Sequence, residues 1–245
     1  MKYANILSKK EKYSLFIIHY SFFFCNFAPS NELNIKKKII AMKVLLLNGS
    51  PRRESNTLLA LQQIADTLGK EGIESEILSV GVQPVRSCIV CNTCKRKADN
   101  RCVFDDDLCN RLTEKMQSCD ALVVGSPVYY GQPNGAVVSL IQRALYSAGA
   151  YFNGKPVAGV AVCRRGGATA ALQTMMMPFQ LLNMPIVTSQ YWNIVYGQAA
   201  GEAALDTEGM QTMRSLAQNI AQLLRATENQ PLPTYEARQA MNFIR

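Results

Sequence analysis

The stretch "KVLLLNGSPRRESNTLLALQQIADTLGKEG" (43–72) decides the fold of this chain. Residues 43–48 form an apolar run that ends at Asn-Gly, as expected for a strand buried on both faces. Residues 56–72 then place apolar side chains at helical spacing and end on a glycine, which is a helix stop signal. A buried strand followed directly by a helix is the building unit of a parallel sheet covered by helices.

The same alternation continues along the chain. Further strand runs are predicted at 75–80, 121–130, 156–163 and 185–196, and the run at 121–130 is expected to break at Gly-Ser-Pro (125–127). Helices are predicted at 106–119, 134–149, within 164–182 and at 209–227. Five strand runs alternating with helices predict an α/β fold, a flavodoxin-like doubly wound five-stranded parallel sheet with strand order 2-1-3-4-5. Ligands bind such sheets outside the carboxyl ends of the strands, so the loops after strands one, three and four are the candidate site.

The chain divides into three parts by composition. Residues 42–227 form the predicted domain, with a cysteine-rich insertion at 87–109, and residues 228–245 are expected to be a surface tail. The segment 12–30 of the N-terminal extension 1–41 resembles a signal peptide, with a basic start and an apolar run. His19, Tyr20 and Asn26 interrupt that run, which makes it a poor membrane span. A start of translation at Met42 is the alternative, and we expect the extension to lie outside the fold.

The positive charge of the chain is concentrated in the extension. The whole sequence of 245 residues has 26 Lys and Arg, 18 Asp and Glu and a net charge of +8. Seven of the basic and two of the acidic residues lie in 1–41, which leaves a net charge of +3 from Met42 onward. That is an ordinary surface rather than a footprint for a phosphate backbone, so we expect no nucleic-acid partner and no membrane partner. The single histidine, His19, also lies in the extension, so chemistry in the domain must use Cys, carboxylate, Arg, Tyr, backbone or a cofactor.

Three loops converge on the predicted edge of the sheet. Loop one, "NGSPRRESNT" (48–57), offers short hydroxyl side chains and backbone N–H groups at a helix N-terminus, where anions bind; ordinary helix capping is the alternative. Loop two, "SPVYYGQPNG" (126–135), presents two tyrosines on which a flat ring could stack; the alternative is that one tyrosine belongs to the core and the other simply faces solvent. Loop three, "CRRGGATAA" (163–171), is glycine-rich, which allows close approach of the backbone to a ligand or simply a flexible turn. Loop one matches neither GxGxxG nor GxxxxGK[ST], which disfavours a Rossmann dinucleotide motif and a P-loop.

The segments "LLLNGSPRRESNT" and "GSPVYYGQPNGAVVSLIQRA" resemble the two signature segments of the NADPH-dependent FMN reductase family, over about residues 42–200. The resemblance implies that FMN phosphate is held by Ser50, Arg52, Ser55, Asn56 and Thr57. It also implies that the isoalloxazine ring is lined by Pro127, Val128, Tyr129, Tyr130, Gly131, Gly166 and Gly167. No side chain is expected to act as a catalytic acid or base, because the flavin N5 supplies the hydride chemistry.

Five of the eight cysteines lie in "SCIVCNTCKRKADNRCVFDDDLC" (87–109). We expect a cytoplasmic protein, for which a disulfide framework is disfavoured. The spacing C-x2-C-x2-C followed by seven residues and a fourth cysteine resembles the iron–sulfur flavoprotein branch of the family, which implies one [4Fe–4S] cluster. The implied ligands are Cys88, Cys91, Cys94 and Cys102, with Cys109 left over. A Zn(Cys)4 site or redox-active or inert thiols would also satisfy this spacing.

The expected function is therefore electron transfer from NAD(P)H or ferredoxin, through FMN and the cluster, to a small-molecule or protein acceptor. Two alternatives remain open: a cluster-free NADPH-dependent FMN or quinone reductase, and a non-enzymatic flavodoxin-type electron carrier. We expect a homodimer or homotetramer. The apolar stretch "TMMMPFQLL" (174–182) is more typical of a buried helix than of a dimer face or of a wall beside the dimethylbenzene edge of the flavin.

Overall fold

A parallel sheet forms the centre of the domain. The computed structural model describes residues 42–237 and 239, so the extension 1–41 and the last residues of the tail lie outside the described part of the chain. The strands are β1 (Lys43–Asn48), β2 (Glu74–Ser79), β3 (Ala121–Tyr129), β4 (Gln132–Pro133), β5 (Val157–Cys163) and β6 (Ile194–Tyr196). They are ordered β2-β1-β3-β5-β6, and β4 pairs antiparallel with β3 in a short hairpin.

Helices cover both faces of this sheet. They are α1 (Asn56–Lys70), α2 (Thr93–Lys97), α3 (Cys109–Ser118), α4 (Gly135–Ala148), α5 (Ala168–Gln180) and α6 (Thr207–Thr227), with 3-10 turns at Gly149–Phe152 and Glu202–Leu205. Alternate residues of β1 point to opposite faces: Val44 and Leu46 pack with α1 and α6, whereas Leu45 and Leu47 pack with α3, α4 and α5. Both faces are therefore buried, which explains the uninterrupted apolar run of β1. None of the helices in the described residues is long and apolar enough to cross a membrane.

The predicted flavodoxin-like doubly wound fold is confirmed. The five parallel strands follow the predicted order, and the two-residue strand β4 is an addition that the sequence analysis did not anticipate. Counting β4, the sheet has six strands and the order becomes 2-1-3-5-6. The described part of the tail, 228–237 and 239, has no helix or strand, and Tyr235 accepts a hydrogen bond from Asn183 at 2.7 Å.

Strand β3 does not break at Gly125-Ser126-Pro127 as the sequence suggested. It continues to Tyr129, paired with β5 as far as Pro127 and Val162. The N–H of Leu122 in β3 donates to Pro156 O, next to β5, at 3.0 Å. Because successive N–H groups of a strand point to opposite neighbours, the even-numbered residues of β3 donate toward β5, and the backbone nitrogen of Pro127 faces β1. The ladder with β1 has already ended at Asn48 and Gly125, so Pro127 removes no sheet hydrogen bond.

Two predicted boundaries are also wrong. The fifth strand run, 185–196, forms a strand only at Ile194–Tyr196, preceded by a single bridge from Ile186 to Val157. Between them, the Ser189 hydroxyl accepts from Tyr191 N and lies 2.7 Å from Tyr191 O, a local bonding pattern that competes with the sheet. Helix α3 begins at Cys109 rather than residue 106, because Asp107 instead accepts from Cys109 N at 3.0 Å.

Candidate functional site

A cavity of about 180 Å³ lies at the carboxyl ends of β1, β3 and β5. This loop cavity brings together eight of the residues predicted to bind flavin: Ser50, Arg52, Ser55, Asn56, Thr57, Pro127, Val128 and Tyr129. Its other side is formed by the end of β5 and by the segment 197–200. Loops one and two therefore converge at the switch point of the sheet, where ligands bind doubly wound folds.

The N-terminus of α1 opens into the loop cavity. Ser55 is the N-cap residue, with extended backbone, and its hydroxyl accepts from Leu58 N at 3.1 Å. The first intrahelical bond is donated by Leu59 N to Ser55 O at 3.0 Å, so the amides of Asn56 and Thr57 have no partner within the helix. These two amides, together with the positive end of the helix dipole, suit a bound phosphate.

The side chain of Asn56 has a second role that local sequence reasoning missed. Its Nδ2 donates to Ala199 O at 2.8 Å, and its Oδ1 accepts from Ala203 N at 3.1 Å. The side chain thus fixes the segment after β6 against α1 and closes one wall of the cavity. Any contact of Asn56 with a phosphate is then best made by its backbone N–H.

Loop one is held against α4 by Asn134. The Nδ2 of Asn134 donates to Gly49 O at 2.7 Å, while its Oδ1 accepts from Ala136 N at 3.1 Å and caps the helix. Gly49 N donates to Gly125 O at 2.8 Å. A Cβ at position 49 would lie 2.3 Å from Val137 Cγ2, so only glycine allows this close approach.

The remaining predicted flavin residues lie outside the lining of the loop cavity. Tyr130 is fully exposed at a positive φ of 52°. Gly131 and Gly167 touch each other, since a Cβ at Gly167 would lie 2.7 Å from Gly131 Cα, so loops two and three are adjacent. Gly166 and Gly167 line a neighbouring cavity of about 270 Å³ with Tyr191 and other aromatic residues. These positions form an exposed surface beside the loop cavity rather than part of its wall.

The four predicted metal ligands converge on one small cavity. Cys88, Cys91, Cys94 and Cys102 all line this cysteine cavity, whose volume is about 20 Å³. Cys109 is fully buried in the core instead, and burial raises the pKa of its thiol to about 12. Over residues 42–237 and 239, no three Cys, His, Asp or Glu side chains are arranged to hold a metal ion. The four cysteines therefore share the lining of one cavity without forming a ready-made metal-holding group in the described residues.

The backbone around these cysteines is strained. Val90 and Asn92 lie between successive cysteines at φ values of 53° and 57°, and a positive φ is a genuine outlier for the β-branched Val90. Val90 N donates to Cys88 Sγ at 3.4 Å. The pKa of the Cys91 thiol is lowered by hydrogen bonds from the hydroxyl and N–H of Thr93. A tight loop with amides turned toward sulfur, rich in thiols and basic residues, fits a thiolate-bound metal centre in residue type and conformation.

A buried arginine on α4 holds this segment, and the sequence analysis did not identify it. Arg143 is 1% exposed; its Nε donates to Cys102 Sγ at 3.2 Å and its Nη1 pairs with the Asp107 carboxylate. Burial alone would lower the pKa of Arg143, but hydrogen bonds to Asp107 and Cys102 raise it overall. Burial likewise acts to raise the pKa of Asp107, but the bond and charge of Arg143, together with the backbone N–H groups of Cys109 and Arg86, outweigh it and leave that pKa lowered. Both groups are therefore charged.

Arg143 had one local signal in the sequence. It lies three residues after Leu140 and four before Ser147, which are both buried, so it belongs to the inward face of α4. Asn110, a second overlooked residue, accepts from Cys102 N at 2.8 Å and donates to Cys102 O at 3.1 Å. Together these side chains fix the backbone and the sulfur of Cys102.

Helix α4 connects the two cavities. Its N-cap, Asn134, holds loop one, and Arg143 reaches Cys102 nine residues later. Ser139 Oγ lies 3.0 Å from Ser87 Oγ, and Tyr146 Oη donates to Asn92 Oδ1 at 2.6 Å. At the usual helical rise, Asn134 and Arg143 are separated by about 13 Å along the axis. One rigid element therefore sets the spacing between the loop cavity and the cysteine cavity.

Comparisons with known proteins agree with this architecture. The chain is 31% identical over 192 residues to an iron–sulfur flavoprotein of Methanocaldococcus jannaschii, covering 75% of this chain and 98% of the relative. It is 32% identical over 202 residues to an iron–sulfur flavoprotein of Archaeoglobus fulgidus, covering 77% and 98%. Among solved structures, RosB with bound 8-demethyl-8-formylriboflavin-5'-phosphate matches with a TM-score of 0.62 at 18% identity, over 84% of this chain and 94% of RosB, a likeness of fold.

The family model for NADPH-dependent FMN reductases matches residues 42–199. The match begins with β1 and ends in the segment that closes the loop cavity. Both loops that resemble the signature segments lie within it. The chain is therefore an FMN oxidoreductase that belongs to the NADPH-dependent FMN reductase family, in its iron–sulfur flavoprotein branch.

Proposed function

We propose that this oxidoreductase passes electrons from NAD(P)H or ferredoxin, through FMN and a [4Fe–4S] cluster, to a small-molecule or protein acceptor. The observation that supports it is the position of α4, which touches both loop one and the cysteine segment, residues 87–109. FMN, when bound, supplies hydride and single-electron chemistry at its ring. The residues of this chain bind, orient and shield it.

The α1 N-terminus is the proposed phosphate site. The amides of Asn56 and Thr57, the hydroxyls of Ser50 and Ser55 and the guanidinium of Arg52 would hold the phosphate, and these residues line one cavity. The cavity of about 180 Å³ is smaller than the roughly 300–1,000 Å³ of a whole ligand pocket. It therefore suits the phosphate end of FMN. The ring would then lie on the adjoining surface, formed by Pro127, Val128, Tyr129, Tyr130, Gly131, Gly166 and Gly167.

The cysteine cavity is the proposed cluster site. Cys88, Cys91, Cys94 and Cys102 would supply four thiolates, which is the number that a [4Fe–4S] cluster takes. The buried guanidinium of Arg143 lies in the same cavity and would offset negative charge there. The spacing along α4 would keep the cluster near the flavin.

Anaerobic purification followed by cofactor analysis tests this proposal. We expect flavin absorption after FMN reconstitution and about four iron and four sulfide per chain. Flavin without iron or sulfide would contradict the cluster, and zinc without iron would replace it with a Zn(Cys)4 site. Absence of flavin after reconstitution would contradict the FMN sites as well.

A cluster-free FMN or quinone reductase is the second candidate. It is favoured by the cysteine sulfurs, which in the described residues do not come together as a metal-holding group. Mixing the FMN form with NADPH in an anaerobic stopped-flow instrument separates the remaining possibilities. Rapid loss of flavin colour supports a pyridine nucleotide reductase, whereas no reduction supports a ferredoxin-fed protein or a flavodoxin-type carrier.

We also propose a homodimer or homotetramer in the cytoplasm. Large apolar side chains are exposed at Tyr130, on the proposed ring surface, and at Met177 and Leu181, on or just after α5. Burial of Tyr130 by a second copy would shield the flavin from water. Sedimentation equilibrium of the FMN form is the test, and a monomer at micromolar concentration would contradict it.

A further inference from the structure

Arg143 is the largest fully buried side chain in the described part of the domain, and it is charged. Removal of a guanidinium from water is costly unless every donor is paired and the charge is balanced. An arginine on the core-facing side of α4 therefore needs a specific structural reason to be there. Its contacts supply one, because all of them lie within the cysteine-rich insertion 87–109 or on the residue just before it.

All three nitrogens of the guanidinium have acceptors there. Nε donates to Cys102 Sγ at 3.2 Å, Nη1 donates to Arg86 O at 3.1 Å and to Asp107, and Nη2 donates to Phe104 O at 3.3 Å. The guanidinium also lies 5.4 Å from the centre of the Phe104 ring. A lysine could not satisfy this set, because an ammonium cannot reach acceptors spread around a planar fork.

The charge of Arg143 is balanced by one carboxylate. Asp107 is buried with it, and its oxygens also accept from Arg86 N at 3.4 Å and from Cys109 N at 3.0 Å. The pair therefore has fixed positions and is shielded from direct contact with solvent. Arg96, another basic side chain among the cysteines, is exposed and donates to the carbonyl of Cys91 and the hydroxyl of Thr93 rather than to sulfur.

We propose that Arg143 is a positioning residue that fixes Cys102 as a ligand and raises the reduction potential of the bound cluster through its N–H···S hydrogen bond. This inference rests on the proposed cluster. A single electron that enters the cluster increases the negative charge on the cysteine sulfurs. A buried donor aimed at one of them stabilises the reduced form more than the oxidised form, and hydrogen bonds to sulfur are an established determinant of cluster potentials. Asp107 opposes this effect because its charge has the other sign.

The experiment compares variants of the full chain, reconstituted anaerobically with FMN, iron and sulfide. The variants are Arg143→Gln, Arg143→Lys, Asp107→Asn and, as a matched control, Arg96→Gln. Each cluster is titrated with dithionite in the presence of redox mediators and followed by electron paramagnetic resonance of the reduced form. Iron and sulfide content of the unmodified protein reports separately on the proposed function.

We expect Arg143→Gln to lower the equilibrium constant for one-electron reduction about tenfold, which is about 59 mV. Arg143→Lys should shift it in the same direction by less. Asp107→Asn should shift it in the opposite direction, because it leaves the arginine charge unbalanced. Arg96→Gln should change it less than twofold, since that guanidinium is exposed and screened.

The possible outcomes distinguish failure of the proposed cluster from failure of the proposed role of Arg143. Unmodified protein without iron overturns the proposed cluster and this inference with it. A cluster whose potential is unchanged in Arg143→Gln, or is lowered equally by Asp107→Asn, overturns the inference and leaves the cluster. If Arg143→Gln folds but holds no cluster, the directions in which Arg143→Lys and Asp107→Asn shift the reduction potential decide whether the inference stands. Loss of the cluster in all three variants assigns Arg143 a purely structural role and overturns the effect on potential.

Discussion

Gly49 lies where loop one passes closest to β3 and α4. A Cβ there would lie 2.3 Å from Val137 Cγ2 and 2.7 Å from Gly125 O, and the carbonyl cannot move without breaking the bond that Gly49 N donates to it. We therefore expect Gly49→Ala to lower the free energy of unfolding by about 1–3 kcal/mol through overpacking. Urea denaturation of the FMN-free protein measures this.

Gly135→Ala is the matched control for that substitution. Gly135 is the first residue of α4, and a Cβ there would meet nothing within 4 Å. Alanine at this position should be neutral or stabilise the protein by up to about 1 kcal/mol. Equal destabilisation by both alanines would show that contact with Val137 and Gly125 is not the cause.

Lys155 offers a second comparison at this scale. Its ammonium donates to three carbonyls at the C-terminal end of α3, namely those of Met116, Gln117 and Cys119. Lys155→Met keeps most of the apolar stem but leaves these acceptors without their donor, so we expect a loss of about 1–3 kcal/mol in unfolding free energy.

The control is the same substitution at Lys115. That side chain pairs with Glu76 near the surface, and Glu76 keeps Lys43 as a partner at 2.9 Å. The expected loss is below about 1 kcal/mol, as for other surface ion pairs. A larger effect at Lys115 than at Lys155, measured by urea denaturation, would contradict the importance of the carbonyl contacts.

Residues with local roles were predictable, and residues with distant partners were not. Ser55 caps α1, as its position before an apolar helix suggested. Gly49, the glycine of the Asn-Gly pair, lies where the chain passes closest to Val137 and Gly125. In contrast, the side chain of Asn56 bonds Ala199, and Arg143 pairs with Asp107. Such contacts join residues 143 and 36 positions apart, so no local pattern contains them.

At the scale of elements, α4 depends on one residue for two functions. Asn134 accepts from Ala136 N as the helix cap and donates to Gly49 O to hold loop one. Asn134→Ala removes both interactions, so we expect a loss of about 0.5–2 kcal/mol in stability from the missing cap, together with weaker FMN binding. Denaturation and fluorescence titration with FMN measure the two effects.

Asn134→Asp separates the helix cap from the bond that holds loop one. The carboxylate still accepts from Ala136 N, so the cap is kept, but it cannot donate to Gly49 O. The lost bond and the repulsion of Gly49 O should raise the Kd for FMN about tenfold or more and account for any remaining loss of stability. Unchanged FMN affinity in Asn134→Asp would contradict the idea that the bond from α4 to loop one supports FMN binding. Loss of stability without loss of FMN affinity in Asn134→Ala would have the same meaning.

Element types were predictable where the apolar pattern is long, and their ends were not. The runs of β1 and β5 are buried on both faces and match their predicted positions closely. The end of β3 depends on which edge of the strand Pro127 occupies, and β6 is shortened by the bonds of Ser189. Both are decided by hydrogen-bond direction, which residue type alone does not specify.

At the scale of the whole molecule, two apolar layers enclose one sheet. The layers consist of side chains from the domain that starts at β1, and α6 completes the layer over α1. Alternating strand and helix patterns were sufficient to predict this arrangement, because a strand that is apolar on both faces must be covered on both. No such apolar pattern predicts the conformation of the cysteine segment, which depends on residues with positive φ and on the contacts of Arg143.

The extension 1–41 was predicted to lie outside this fold, and its removal is a direct test. Strand β1 is anchored at its start by Lys43 N, which donates to Asp120 at 2.7 Å, and by Glu74 N, which donates to Met42 O at 2.9 Å. A chain that begins at Met42 keeps both bonds, both apolar layers and the loop cavity. We therefore expect its Tm to lie within about 2 °C of that of the full chain, a difference of at most about 1 kcal/mol, with unchanged FMN affinity.

The comparison should be made at low and high salt, because removal of the extension also lowers the net charge from +8 to +3. A difference in Tm that disappears at about 0.5 M salt is a charge effect, since screening at that ionic strength is nearly complete beyond a few ångströms. A fall of more than about 5 °C that persists in salt, or loss of FMN binding, would mean that the extension packs against the domain. In that case the boundary at Met42, rather than the fold, would need revision.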